Sequence, residues 1–349
     1  MGIYVHQIKI DNVKQWEDYV KKRNDTTFVD TIEWQNVIKD IYGLDNYWYI
    51  AEEHGNVRGI MGLTLSNHPI FGKYLATAPF ANQGGFYTES YEAFLSLLKK
   101  AKELQHKVNA RYTVIRQLQQ EITPPNDWEE DKIYATFHLP LRSDPQDLLL
   151  EHLRAKDRSQ IKKSLRNNLS VEFGNIELLD HFWYVISRAM RELGSPYHSK
   201  NYLELLLRTF GPLSEIVIIY DQKMNPCGAA LLMYHKKSVV LLHANILKNY
   251  RSEGAGDFLY WSVIDKCCRR NFKILDMGRS LIGSGNEKYK LKFRPDRKVL
   301  SYLYNLSQID QIPKLNQANP KFNAAIKTWS HLPLWMTRFI GPKLISGIL

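Results

Sequence analysis

The sequence predicts a mixed α/β protein, with α and β elements combined on mixed sheets in two domains. Three observations carry this. The same order of elements reads twice along the chain: strand, two helices, three antiparallel strands, glycine-containing loop, helix, strand. A length of 349 residues suits two domains with cores of their own. Hydrophobic residues at 44% and charged residues at 24% are the balance of a globular chain, and no apolar run is long enough for a membrane-spanning helix.

In the first half, residues 3–10 alternate as a strand. Residues 13–22 and 31–42 have helical spacing, the second with Asp30 or Thr31 as cap, Trp34, Val37, Ile38 and Ile41 on one face, and Gly43 as its end. Residues 47–53 and 57–66 are strands joined at Gly55-Asn56. A third strand, 73–80, runs into Ala81-Asn82-Gln83-Gly84-Gly85. A helix over 90–105 and a strand over 111–116 follow, then the breaker Thr123-Pro124-Pro125 and a strand over 133–139. Residues 141–155 form a short linker and helix.

The second half repeats this order. It runs through a strand at 170–173, helices at 178–193 and 199–210, and strands at 216–221, 229–235 and 238–247. A helix at 257–270 and strands at 273–277 and 299–306 complete it. The predicted divisions are an N-terminal domain 1–150, a C-terminal domain 151–310 and a tail 311–349. The tail is rich in Trp, Phe, Ile and Lys, and either packs on the first domain or lies on a membrane surface, with Trp335, Phe339, Leu344 and Ile345 at the interface and Arg338 and Lys343 at anionic headgroups.

The net charge of +11 points to a polyanionic partner: phosphates of a nucleotide, a tRNA or lipid headgroups. Cys227, Cys267 and Cys268 have neither disulfide nor metal spacing, and no metal site is expected; reduced thiols in a cytosol fit them. The first residues lack the basic and apolar regions of a signal peptide. Ser-His-Asp order, HExxH, paired CxxC and P-loop patterns are absent, so hydrolase, zinc and kinase readings have no support.

Chemistry concentrates between residues 238 and 293. The turn Arg251-Ser252-Glu253-Gly254-Ala255-Gly256 joins a strand to a helix, placing backbone N–H groups and the positive end of a helix dipole where an oxyanion would bind. Glu253 and Asp257 oppose an anion there. This R-x-x-G-x-G resembles the pyrophosphate loop of the GNAT acyltransferases, which implies CoA binding by Arg251, Gly254, Ala255 and Gly256. The following run, Gly278-Arg279-Ser280 … Gly283-Ser284-Gly285 … Tyr289-Lys290-x-x-Phe293, is similar to the signature of FemAB-like proteins, in particular those associated with exopolysaccharide and PEP-CTERM systems. Tyr289 stands where that family has Phe, Phe293 where it has Trp, and Arg294-Pro295 where Gly-Pro is usual. The repeated element order is also the GNAT order. The resemblance thus implies two tandem GNAT-like domains and an acyl- or aminoacyltransferase.

By that resemblance Lys290 handles the acyl group; read by itself it is a lysine on a solvated face beside Lys288 and Lys292. Arg279 clamps a phosphate or carboxylate, or pairs with Asp276. His198, beside Tyr197 in a loop before a helix, accepts a proton from the nucleophile or is idle; His243, mid-strand, reads as a satisfied core residue. Asn82 and Gln83 reach a sugar acceptor or form a polar turn. Tyr289 and Phe293 line the substrate. Lys162 and Lys163 meet phosphates of a tRNA or lipid-linked sugar, or form a solvated face, with Ile161, Leu165 and Leu169 turned inward. The expected donor is acyl-CoA or aminoacyl-tRNA. The acceptor is an amine or hydroxyl of a lipid-linked or soluble saccharide or peptide precursor of the cell envelope, such as peptidoglycan or exopolysaccharide. The expected place is the cytoplasm, at the inner membrane face if the tail anchors. A plain acyl-CoA-dependent acetyltransferase and a non-catalytic nucleic-acid-binding protein are the alternatives.

Overall fold

The computed structural model describes residues 2–8, 13–120, 122–313 and 319–348. The first half runs β1 (Tyr4–Ile8), α1 (Lys14–Lys22), α2 (Ile32–Tyr42), β2 (Asp45–Glu53), β3 (Asn56–His68), β4 (Gly72–Ala76), β5 (Phe86–Thr88), α3 (Tyr91–Lys107), β6 (Tyr112–Leu118) and β7 (Glu129–Pro140). The chain continues with α4 (Pro145–Asp147), α5 (Ala155–Ser164), β8 (Ser170–Gly174), α6 (Leu179–Glu192), α7 (Lys200–Phe210), β9 (Ser214–Tyr220), β10 (Pro226–His235) and β11 (Ser238–Ile246). It ends with α8 (Ala255–Arg269), β12 (Ile274–Asp276), β13 (Ser280–Leu281), α9 (Gly285–Lys290), β14 (Asp296–Leu306), α10 (Asn323–His331) and α11 (Leu334–Ile345). Positions 9 and 10 of the predicted first strand and 314–318 and 349 of the predicted tail lie outside the described residues.

Local chemistry explains the boundaries. Thr31 Oγ1 accepts the Trp34 N–H at the start of α2, and Gly43 closes that helix at φ +63°. Ser90 caps α3 through the Ala93 N–H, and Ser199 caps α7 through the Tyr202 N–H. His54 and Gly55, both at positive φ, turn β2 into β3.

Two compact units divide the chain at other residues than the predicted boundaries. The first comprises Met1–Tyr134, Val299–Leu315 and Ser346–Leu349; the second comprises Ala135–Lys298 and Asn316–Ile345. In the first unit the strand order is β1-β2-β3-β4-β6-β14, with β5 on β3. β2, β3 and β4 form an antiparallel meander, and α3 carries the chain to β6, which runs parallel to β4. Phe94, Leu97 and Ala101 of α3 pack on Leu63, Leu75 and Ile115 of the sheet.

The second unit repeats the plan in the order β7-β12-β11-β10-β9-β8. Here β9, β10 and β11 form the meander, and α8 carries the chain to β12, parallel to β11. Its core joins Leu259, Val263, Ile264, Cys267 and Cys268 of α8 to Leu232, Val239 and Leu275 of the sheet. All three cysteines are buried and unbridged.

Three expectations are corrected. The strand over 299–306 belongs to the first unit, where its ladder with β6 runs from Leu300↔Leu118 to Leu306↔Tyr112. The helical tail packs on α6 of the second unit. Gly341 lets α11 approach there, because a Cβ on it would sit 3.0 Å from the Tyr197 carbonyl oxygen. Only the last residues join the first unit, the Tyr74 hydroxyl donating to Gly347 O at 2.9 Å. Leu165 is 45% exposed rather than turned inward, since α5 ends at Ser164 and helical periodicity ends with it.

Candidate active site where two parallel strands part

In the second unit β11 pairs with β12 only from Ser238↔Ile274 to Val240↔Asp276. Beyond Asp276 the chain stays with β7, the Met277 N–H donating to Phe137 O at 2.9 Å. β11 runs on from Leu241 to Ile246, so the two strands part. Crevices outside the carboxyl ends of parallel strands are common ligand sites. The residues following both strands carry most of the sequence-predicted chemistry.

Lys290 ends α9 and turns inward, 8% exposed. Its Nζ donates to the carbonyl oxygens of Gly278 at 2.8 Å and Arg279 at 3.0 Å, and stands 5.5 Å from the centroid of the Phe137 ring. An ammonium has three donors, and the third has no partner among the described residues. Burial pulls its pKa from 10.5 to about 8; Asp276 opposes that shift and Arg279 adds to it. Lys290 is therefore not on a solvated face.

Asp276 is held beneath it. Burial alone would raise this carboxyl, but His138, the Thr136 hydroxyl at 2.6 Å and the Gly278 N–H at 2.9 Å together keep it below the usual carboxylate range. Arg279 itself is exposed. The hydroxyl of Ser280, 5% exposed, is enclosed and has no partner among the described residues.

The glycine turn is filled from within. Gly254 caps α8 at φ +75°, and a Cβ there would lie 3.1 Å from Ser164 Cβ of α5. A Cβ on Gly256 would meet the Tyr289 hydroxyl at 3.0 Å. That hydroxyl donates to Asp257 Oδ1 at 2.9 Å, and Lys292 Nζ reaches the same oxygen at 2.7 Å. A carboxylate thus already occupies the first turn of α8, where the helix end favours an anion. Ala255 is buried in the core and Arg251 is exposed. The Tyr289 hydroxyl is pushed far above its usual pKa, first by burial and then by Asp257.

Phe293 is assigned to substrate by the sequence reading, and this is corrected: it is fully buried and stacks on Tyr260, with ring centroids 5.5 Å apart. Lys162 and Lys163 are exposed on α5, with no ion-pair partner among the described residues.

On the opposite face of β11 lies an aromatic group. A bulge between Leu231 and Leu232 of β10 leaves Leu242 as the extra residue, because Leu231 pairs with His243 and Leu232 with Leu241. The bulge shifts the alternation, so His243 leaves the face of Val239 and Leu241. It meets Tyr197 and His198, with centroids 5.2 and 5.8 Å away, while His198 stacks on Tyr202 at 4.2 Å. Burial lowers both histidines, His243 to about 4 and His198 well below its usual value, the latter also through His243. Both are neutral bases at pH 7. His243 Nε2 is enclosed without a partner among the described residues, so His243 is not the satisfied core residue expected.

In the first unit Gln83 is buried, its Oε1 without a partner among the described residues, and the Asn82 carbonyl accepts from the Tyr302 hydroxyl at 2.8 Å. The sequence reading missed Asp30 as the residue that orders this loop. Its Oδ1 accepts the Gly85 N–H at 2.6 Å, and its Oδ2 accepts the Tyr87 hydroxyl and the Thr27 N–H at 2.8 and 2.7 Å. Burial pushes its pKa up to about 6 against these donors. The local signal was Thr27-x-x-Asp30, a capping box that the sequence reading left out.

Comparison with known proteins bears on the fold. Residues 152–291 match a family model described as Acetyltransferase (GNAT) domain. No curated protein sequence matches the chain. Among solved structures, FemX superposes with a TM-score of 0.63 at 12% identity, covering 87% of this chain and 98% of its own. L-PGS from Bacillus licheniformis gives 0.56 at 12%, covering 96% and 99%. A tandem GNAT protein from the clavulanic acid biosynthesis pathway gives 0.56 at 12%, covering 86% and 98%. The chain therefore has the tandem GNAT fold, and the domain match in its second half supports an acyltransferase.

Proposed function

We propose that this protein transfers an acyl or aminoacyl group to an amine or hydroxyl of a cell-envelope precursor, at the gap between β11 and β12. The observation that carries this reading is Lys290: a buried ammonium, fixed by two carbonyl oxygens, with one N–H left. In the reaction the acceptor's lone pair forms a bond to the donor's carbonyl carbon, and the carbonyl oxygen takes up negative charge. Lys290 stabilises that oxyanion, a role worth far more in a dry site than in water. The bond to the leaving oxygen or sulfur then breaks, and the acceptor's proton goes to the leaving group. His198 and His243, lowered by burial and enclosed on the other face of β11, are too weak as bases to take that proton, so it passes to the leaving group without them. Arg279, exposed beside the gap, is a clamp for a phosphate or carboxylate of donor or acceptor, and Lys162 and Lys163 add an electrostatic approach for a tRNA or lipid-linked phosphate.

The likeness to FemX and L-PGS supports this class at the level of fold. Asp257, already seated at the first turn of α8, favours an aminoacyl-tRNA over a CoA pyrophosphate as donor. The acyl-CoA reading keeps support from the 152–291 match. Trp335 and Phe339, exposed on α11 beside Lys343, suit peripheral contact with the cytoplasmic membrane face.

Lys290→Ala is the test. Turnover should fall by about two orders of magnitude, as for loss of one oxyanion donor, with the fold retained. Turnover within a few-fold of the parent removes Lys290 from the mechanism.

A further inference from the structure

A cavity lies in the first unit, between α2, the end of β1 and the start of β2. It offers about 240 Å³, where a single water needs about 10–15 Å³. That is room for a sugar ring. Neither Asn82 nor Gln83 lines it, so it is distinct from the glycine loop of this unit.

The lining follows from two elements. α2 buries Val37 and Ile38 in the core and leaves Gln35, Asn36 and Lys39 at the cavity. β2 brings Asn46 and Trp48, which share one face of the strand because they are two residues apart. Three carboxamides therefore meet in one place. Asn46 is held from behind: its Oδ1 accepts the Thr64 hydroxyl at 2.7 Å, and its Nδ2 donates to the Gln35 carbonyl oxygen at 3.5 Å. Gln35 is only 8% exposed. Its Nε2 donates to Val29 O at 3.4 Å, while its Oε1 has no partner among the described residues. The side chain of Asn36 and the indole N–H of Trp48 likewise have none.

This chemistry selects a ligand class. A carboxamide offers donors on its nitrogen and an acceptor on its oxygen, and a hydroxyl also does both, so neighbouring amides match a polyhydroxylated molecule. Lys39 and Asp45 stand exposed at the cavity, one of each sign, so their charges cancel and a phosphate finds no second cation. Trp48 and Ile8, both buried, pair across β2 and β1 and supply the apolar side that most small-molecule sites have. We infer that this cavity binds a neutral saccharide, a sugar ring held by the carboxamides of Gln35, Asn36 and Asn46 beside Trp48. The inference stands whether or not Lys290 is catalytic.

The test is titration calorimetry on the full chain with glucose, galactose and N-acetylglucosamine, against glycine and inorganic phosphate at equal ionic strength. The parent binds at least one of the sugars at millimolar concentration. Gln35→Met, which keeps the volume and loses the amide, and Asn36→Phe, which fills the cavity from α2, each weaken that binding at least about tenfold. Lys39→Ala leaves it within about twofold, because a neutral ligand does not draw on that charge. Melting of each variant shows whether it folds, and if Gln35→Met does not, Asn36→Phe decides, since no bond of the fold rests on the Asn36 side chain. Lys290→Ala binds the sugar like the parent, which keeps this result apart from the catalytic reading. The inference is overturned if none of the three sugars binds, if Gln35→Met and Asn36→Phe both bind like the parent, or if glycine or phosphate binds as well as the sugars.

Discussion

At the scale of single residues, Lys290 shows how burial turns a common side chain into a tuned one. A lysine in an unfolded chain titrates near 10.5, and in the folded protein this one titrates near 8. Between those values the unfolded chain holds more protons than the folded one, so stability contributed through this site rises with pH from about 8 to about 10.5. Below pH 8 the cost of burying the charge is present in full, on the order of 3 kcal/mol. The stability difference between the parent and Lys290→Met should therefore shift in the parent's favour across that window, by denaturant titration at each pH. A flat difference would mean that Nζ is solvated. Turnover should fall as pH rises through about 8 if the ammonium stabilises an oxyanion, and a rise there would make Lys290 a base instead. Other site residues owe their state to what they touch. Phe293 reads as a substrate residue by motif and is a core residue by contact, since Tyr260 covers its ring.

At the scale of elements, the start of α8 bears on the choice of donor. Its first turn carries Asp257, bound by Tyr289 and Lys292. A CoA pyrophosphate would meet a carboxylate already paired with Lys292 at 2.7 Å and bonded by Tyr289, so the cation and the helix end that would hold it are taken up from within, and Asp257→Asn would free the Lys292 ammonium for it. The parent should gain little melting temperature from millimolar acetyl-CoA, and Asp257→Asn should bind it at least about tenfold more tightly. If Asp257→Asn changes nothing while Gly256→Asp abolishes a shift already present in the parent, the loop is a working CoA site. Elements of this kind were largely legible in the sequence. Caps such as Thr31, Ser90 and Ser199 mark helix starts through side-chain chemistry that needs no tertiary knowledge. What stayed hidden depends on distant partners. The partner of strand 299–306 is β6, nearly two hundred residues earlier, and no local pattern names it. The bulge at Leu242 moves His243 to another face, and alternation read along one strand does not register an extra residue. α11 contains Pro342, so the sequence reads as broken where the helix continues.

At the scale of the whole molecule, the first unit is assembled from three separate stretches of chain. Residues 1–150 expressed alone lack β14, which leaves β6 as a bare edge with Tyr112 and Val114 uncovered. Such a fragment should aggregate or bind hydrophobic dyes, and a circular permutant that rejoins 299–315 to it should be soluble and melt cooperatively. A well-folded, monomeric 1–150 fragment would show β14 to be dispensable. The same threading governs birth on the ribosome. Synthesis passes Tyr134 and adds 164 residues before Val299 emerges. At typical elongation speeds that is roughly ten to thirty seconds during which β6 waits for its neighbour. The second unit's meander, β9 to β11, is finished well inside that interval. The half of the protein made first is thus the half completed last, and the nascent chain's need for a holding chaperone falls on its N-terminal side.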